Sequence, residues 1–347
     1  MQSNDNFIVV ASAGGRKTTF IVEEALKKHG NILITTYTLN NVDQIHSYII
    51  EKVGYIPSNI NILPWFTFLL RDGVKPYQGS LLQERQVKSL DFYTTPNRYI
   101  SKEKTEYFIN RGDDIYRDRV SDFICQCNET SHGLVIKRLE KIYGHIFIDE
   151  MQDLSGWDQD FIELLIESTI GITLVGDPRQ STYTTNNSQK NKGTKGKNMV
   201  SWIEDLVKKQ KCVKEERTDC YRCNQEICNF ADSLYPDLPK TTSKNTERTG
   251  HDGIITIKSS EVKCYIDKYK PQILRWNREA DTQNYPAINY GNSKGMNFDR
   301  VLIFPTDPIK RYLKSKEKDT ALLKSGAISK LYVAVTRAKH SVCFIID

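Results

Sequence analysis

The chain has 347 residues, 39% of them hydrophobic and 27% charged, with 19 Gly and 11 Pro; this ordinary globular composition excludes disordered, collagen-like and disulfide-stapled miniprotein classes. At roughly 150 residues per domain the length predicts two domains. The net charge of +6 only mildly favours an anionic partner, and apolar runs far shorter than the ~20 residues of a membrane span, after a polar start without a basic segment, predict a soluble cytoplasmic protein with no membrane partner.

In chain order, Phe7 to Val10 reads as a short buried strand, Ala11 to Arg16 as a loop of small residues, and Lys17 to Lys28 as a helix with apolar positions at Ile21, Ala25 and Leu26. Strand, loop and helix in that order open a parallel α/β sheet. Further strands at Asn31 to Thr36, His145 to Ile148 and Ile172 to Val175 end in polar residues, and the carboxyl ends of parallel strands are where such sheets hold ligands. From Arg71 to Lys137 the pattern turns polar, aromatic-rich and helical, which predicts an insertion over about 72–137. Strand runs resume after Lys214, at Gly253 to Ile257, Gln272 to Trp276, Val301 to Pro305 and Ser341 to Ile346. The predicted domains are therefore 1–213 and 214–347.

Ala11-Ser12-Ala13-Gly14-Gly15-Arg16-Lys17-Thr18 approximates a phosphate-binding loop. Backbone amides from Ala13 to Thr19 can wrap phosphates at the helix start, Lys17 can reach the β- and γ-phosphates, and the Thr18 hydroxyl can ligate Mg²⁺. Ala11 and Arg16 stand where glycines are usual; if position 16 needs a positive φ, a non-glycine residue there costs about 1–2 kcal/mol. Taken alone, the loop also reads as a plain strand-to-helix turn. Ile146-Phe147-Ile148-Asp149-Glu150 supplies a second half: a hydrophobic strand ending in two acids, Asp149 to hold the Mg²⁺ shell and Glu150 to orient or deprotonate the attacking water.

Asp149-Glu150-Met151-Gln152-Asp153, followed by Val175 to Tyr183, resembles motifs II and III of the UvrD/Rep family of superfamily 1 helicases. Thr35 to Asn40 resembles motif Ia, Leu63 to Phe68 the next DNA-facing motif, Cys220 to Cys223 the tyrosine–arginine element of motif IV, Tyr290 to Phe298 motif V, and Tyr332 to Ala338 motif VI. The resemblance implies two RecA-like P-loop domains, ATP and Mg²⁺ as cofactors, and movement 3′ to 5′ along single-stranded or partly duplex DNA. It further implies γ-phosphate contacts for Arg222 and Arg337, a γ-phosphate-sensing role for Gln180, a place near the nucleotide for Gly295, and DNA contacts for Thr36, Tyr37, Trp65, Phe66 and Tyr183. The helical spacing puts Ile328, Leu331, Tyr332 and Val335 on one face and Arg337 about 200° round from Val335, free to point away from its own core.

Departures from the family pattern carry expectations of their own. Thr185 stands where the family often has a stacking tryptophan, and Lys190, Lys192, Lys195 and Lys197 read either as an exposed basic loop that compensates through phosphate contacts or as a solvated linker. Asn297 replaces the motif V acid, the adenine-reading glutamine motif has only Gln2 as a substitute, and the short span from Asn277 to Asn289 leaves no room for domain 2B. Cys212, Cys220, Cys223 and Cys228 read as buried thiols in preference to a zinc site. A second reading is a nucleotide-binding regulatory or scaffold subunit serving a nuclease partner, as in phage defence, with little ATP turnover. RNA stays open as the polymer, because 2′-OH recognition leaves no readable motif.

Overall fold

Strand β1 (Phe7–Ala11) enters a six-stranded sheet with β2 (Ile32–Thr36), β3 (Ile60–Pro64), β6 (His145–Ile148), β7 (Gly171–Gly176) and β8 (Val213–Arg217), in the order β3-β2-β6-β7-β1-β8. The computed structural model describes residues 5–194, 196–315 and 320–347. Pairings from β3 through β1 are parallel, and every residue of β2, β6 and β7 is buried, as expected when helices cover both faces of a parallel sheet. The chain divides into two compact units: the first takes the segment ending at Val10, Lys17–Pro178 and Thr184–Glu215, and the second takes Ala11–Arg16, Arg179–Tyr183 and Glu216–Asp347.

The predicted strands and first helix are present in unit 1, with the helix at Lys17–Lys27, whereas β3 and β8 escaped the reading. Ile60–Pro64 is half apolar and lies at an edge, so it lacks the continuous apolar run that marks β6 and β7. The stretch read as a helical insertion is helical at Gly79–Leu82, Val120–Thr130 and Leu134–Ile142; between the first two lies a parallel ribbon of β4 (Leu90–Asp91) and β5 (Ile115–Tyr116). It is no separate body. Val87, Tyr107, Phe108, Ile115 and Phe123 join Ile148 and Leu174 in one core.

Unit 2 has a parallel ribbon of β9 (Asp219–Cys220) and β10 (Thr242–Ser243). Its main sheet contains β11 (Gly253–Ile257), β12 (Gln272–Arg275), β13 (Ile288–Asn289), β14 (Phe298–Phe304) and β15 (Ala338–Ile345), ordered β11-β15-β14-β12-β13 and parallel throughout. The helix Gln225–Ser233 starts at Asn224, whose side-chain oxygen accepts the Ile227 N–H at 3.1 Å, an N-cap that satisfies an otherwise orphaned donor. No described helix is long and apolar enough to cross a membrane.

His145 opens β6 as a buried polar residue beside Thr173 of β7; its Nε2 lies 2.8 Å from the threonine hydroxyl. Burial, reinforced by Lys28, pulls the imidazole down to about 4. The folded state therefore keeps His145 neutral while the unfolded chain takes up a proton below its ordinary 6.5, so this stability is intact above pH 6.5 and drains away as pH falls towards 4. The expected loss is on the order of 2 kcal/mol across that window. Urea midpoints at a series of pH values should show the fall in the wild type and a flatter profile in His145→Gln.

Candidate nucleotide and nucleic-acid site

In unit 1, β7 lies between β6 and β1, so three adjacent strands deliver polar residues to one edge of the sheet. Lys17 and Thr18 open the helix after β1, whose first turn holds no acid to compete for an anion. Asp149 and Glu150 follow β6, and Asp177 follows β7. Asp149 N–H donates to Thr35 O at 2.9 Å, prolonging the β2–β6 pairing by one step, and the Asp149 carboxylate accepts the Glu150 N–H at 2.9 Å. Glu150 has a left-handed backbone, φ 56°, a conformation that costs a non-glycine residue roughly 1–2 kcal/mol and that clusters at functional sites.

Gln152, which in the sequence is one residue of the Asp149–Asp153 motif, ties two strand ends together. Its amide nitrogen donates to the Glu150 carboxylate and its oxygen accepts the Asp177 N–H at 2.9 Å. Gly176 makes room for it: a Cβ there would lie 2.3 Å from the Gln152 oxygen. Among the described residues no group of three or more His, Cys, Asp or Glu could hold a metal ion. The hard oxygens of Thr18 and Asp149 suit Mg²⁺, which commonly takes one or two protein ligands and completes its shell with phosphates and water.

The loop Ala11–Arg16 packs within unit 2. Ser12 N–H donates to Arg217 O at 3.0 Å, Tyr221 N–H donates to Gly14 O at 3.0 Å, and Ala13 N–H donates to the Tyr332 hydroxyl at 3.4 Å. Gly14 has φ 75°, and a Cβ there would lie 2.7 Å from Cys220 Sγ and 2.9 Å from Arg222 Cβ, so only glycine permits this approach. Position 16 is left-handed as well, φ 56°, and Arg16 stands there without that freedom. Its guanidinium lies 3.8 Å from the centre of the Tyr221 ring, a cation–π contact that contributes about 0.5–1 kcal/mol at an exposed site and offsets part of the strain.

Arg222, Arg337 and Gln180 come together in the same unit. Arg222 Nη1 donates to Thr336 O at 3.0 Å, and Arg337 Nη2 donates to the Gln180 side-chain oxygen at 3.3 Å. Arg337 also donates to Val333 O at 3.1 Å and to Met296 O, next to Gly295, at 3.4 Å. It does not point away from its core: the side chain is 2% exposed. The helix Ser325–Val335 ends before it, and Val333 and Ala334 are buried together with Leu331, Tyr332 and Val335. The helix therefore has no solvent face at this end, and the arginine folds back onto the carbonyls its last turn leaves unpaired.

The aromatic candidates separate into two groups. Tyr37 is half-buried and Phe66 8% exposed, and their rings meet edge-on at 6.0 Å. Trp65 is no stacking platform: at 1% exposure it sits in the core against Phe68 and Phe161, with centroids 5.8 and 6.3 Å away. Thr36 is likewise buried, and its hydroxyl accepts from the Asn41 amide at 3.1 Å. Tyr183, half-buried, donates its hydroxyl to Gly291 O at 3.1 Å, with Lys294 Nζ 5.8 Å from its ring.

Thr185 is a buried anchor: its hydroxyl oxygen lies within hydrogen-bond distance of Asp153 O, at 3.0 Å, and of the Asp158 carboxylate. The expected compensation by lysines is weakened at Lys190, which pairs with Asp160 at 3.0 Å. Lys192 is exposed, and Lys195 and the Lys197 side chain lie outside the described residues.

Residues 83–198 match the family model of the UvrD/REP helicase N-terminal domain. Over that stretch, about a third of its length, the chain is similar to the UvrD/REP helicases. That match spans both acids of the β6 end, Gln180 and the insertion from residue 83 onward. The arterivirus nonstructural protein 10 helicase is 13% identical with a TM-score of 0.50, over 99% of this chain and 61% of that one. The PRRSV helicase gives 16%, 0.45, 99% and 53%, and the Bacteroides Pif1 helicase, solved with ADP-AlF3 and ssDNA, gives 13%, 0.39, 99% and 89%. At this identity the arterivirus likeness concerns the fold, two RecA-like α/β sheets, and this chain spans 61% of that protein's length. No curated protein matches the chain.

The Arg16–Tyr221 stack predicts a non-additive pair. Tyr221→Ala should lower stability by about 0.5–1 kcal/mol. Arg16→Gly removes strain and stack together and should change stability little, whereas in the Tyr221→Ala background it should stabilise by about 1 kcal/mol. Urea midpoints of the four proteins check this; an equal loss on Arg16→Gly in both backgrounds would show that the stack offsets nothing.

Proposed function

We propose that the protein is an ATP-driven, 3′–5′ translocase or helicase on single-stranded or partly duplex DNA, working with Mg²⁺. The observation that supports it most is the meeting of Gln180, Arg222 and Arg337 around Thr336 and Met296, three groups that suit a γ-phosphate, in a chain whose other sheet ends in Lys17, Thr18, Asp149 and Glu150. In this reading Thr18 and Asp149 hold Mg²⁺, which supplies charge neutralisation between phosphates when bound. Lys17 and the amides from Ala13 to Thr19 bind phosphate oxygens, and Glu150, held by Gln152, orients a water and takes its proton. Arg222 and Arg337 stabilise transition-state charge, and Gln180 reports the γ-phosphate through its contact with Arg337. Tyr37, Phe66 and Tyr183 serve the polymer.

One feature favours the second reading, a binding or scaffold subunit for a nuclease with little turnover: the Ala13 N–H is already donated to Tyr332 and Arg16 is held on Tyr221. The ATPase rate with and without single-stranded DNA decides between them. The translocase reading expects stimulation by the strand. Lys17→Ala should weaken nucleotide binding at least tenfold, and Glu150→Gln should keep binding and lose turnover by a factor on the order of 10². A wild type as slow as Glu150→Gln would instead establish the scaffold reading.

A further inference from the structure

Tyr37 and Phe66 follow the adjacent parallel strands β2 and β3, and the row of rings does not stop there. Phe66 meets Phe92 of the insertion edge-to-face, with centroids 5.4 Å apart and planes at 87°. Phe92 is 45% exposed and the next residue, Tyr93, 97% exposed. The row therefore climbs from a buried ring at the sheet edge to one almost wholly in solvent.

The turn that carries Tyr93 is anchored. One Asp91 oxygen accepts the N–H groups of Tyr93 at 3.0 Å and Thr94 at 2.9 Å, and the other accepts the Asn110 amide at 3.0 Å. Asp91 itself is paired in the β4–β5 ribbon. Partial burial works against the charged carboxylate, but those bonds hold Asp91 down at about 2, so the clamp stays ionised at neutral pH. Further along, Arg98 lies over the 80% exposed Tyr99 ring at 4.9 Å and donates to its hydroxyl at 2.8 Å.

We propose that Phe92 and Tyr93 form an accessory stacking platform for unpaired nucleobases, continuing the path begun at Tyr37 and Phe66, with Arg98 as a phosphate contact. This rests on the nucleic-acid reading above. The occupant follows from chemistry: the two consecutive rings are followed by Thr94, Thr95, Asn97 and Arg98, hydrogen-bonding and cationic groups that suit the sugar–phosphate backbone of a strand whose bases stack on the rings. Separate π-faces beside a cation are what a single strand uses, whatever its sequence. Pinning the turn before binding removes an ordering cost that a loose loop would meet on association.

The test titrates fluorescein-labelled oligothymidylate of about 20 nucleotides, and an abasic strand of equal length, at fixed salt. Tyr93→Ala touches a side chain almost fully in solvent and leaves the fold intact. It should weaken oligothymidylate binding about fivefold or more and leave the abasic strand unchanged, and Tyr93→Phe should stay within about twofold of wild type. Phe92→Ala combined with Tyr93→Ala should weaken binding further. Wild-type affinity for oligothymidylate in Tyr93→Ala and in the double variant, with wild-type protein binding the strand, overturns the platform alone. Wild-type protein that binds neither strand overturns the nucleic-acid reading and the platform with it.

Discussion

A parallel sheet buried on both faces leaves its polar chemistry only one place to go. β2, β6 and β7 are closed to water along their whole length, and an unpaired carboxylate inside them would lose several kcal/mol of hydration. Charge can therefore enter only where the strands end. Thr35, Asp149 and Asp177 occupy those ends, and the backbone bond from Asp149 to Thr35 and the side-chain bridge of Gln152 lock the ends to one another. The left-handed turn at Glu150 is affordable because the strands on either side over-determine it.

Unit 2 reaches its arrangement by a different constraint. The last turn of the helix Ser325–Val335 is enclosed, so its carbonyls have no water to bond. Arg337 supplies a donor at Val333 O and Arg222 one at Thr336 O just past the helix, while Tyr332 O already accepts the Thr336 N–H at 3.0 Å. A guanidinium has five donors in a fixed fork, which lets Arg337 satisfy a helix end and still reach Gln180. A change at Arg337 therefore disturbs both the helix end and the contact with Gln180.

The insertion shows how a segment without a strong periodic signal can matter. Its residues join the first unit's core through Tyr107, Phe108 and Phe123, and its ionised clamp at Asp91 sets the exposed turn. Asp122 is fully buried there and is satisfied by Lys102, Tyr107 and Gln126. Gln126 is the i+4 helical neighbour of Asp122 and was open to a local pattern, whereas Lys102 and Tyr107 lie 20 and 15 residues away, beyond any such pattern.

The strands that read clearly from the amino acids were those with continuous apolar runs, and the acids and the lysine of the candidate site were legible because each directly follows such a run or opens the helix after it. The same local logic failed at Trp65 and Arg337. A tryptophan after a strand and an arginine after a helix look alike whether they face water or the core, and only packing against Phe68 and Phe161, or against Val333 and Met296, decides. Arg16 lies between the cases: the sequence shows a non-glycine residue where glycine is usual, but the left-handed φ and its stacking on Tyr221 come from residues some two hundred positions away. Backbone order and apolar periodicity are local properties, set by near neighbours in the chain. Side-chain exposure is decided by whichever distant element closes over the residue, which the tertiary structure alone determines.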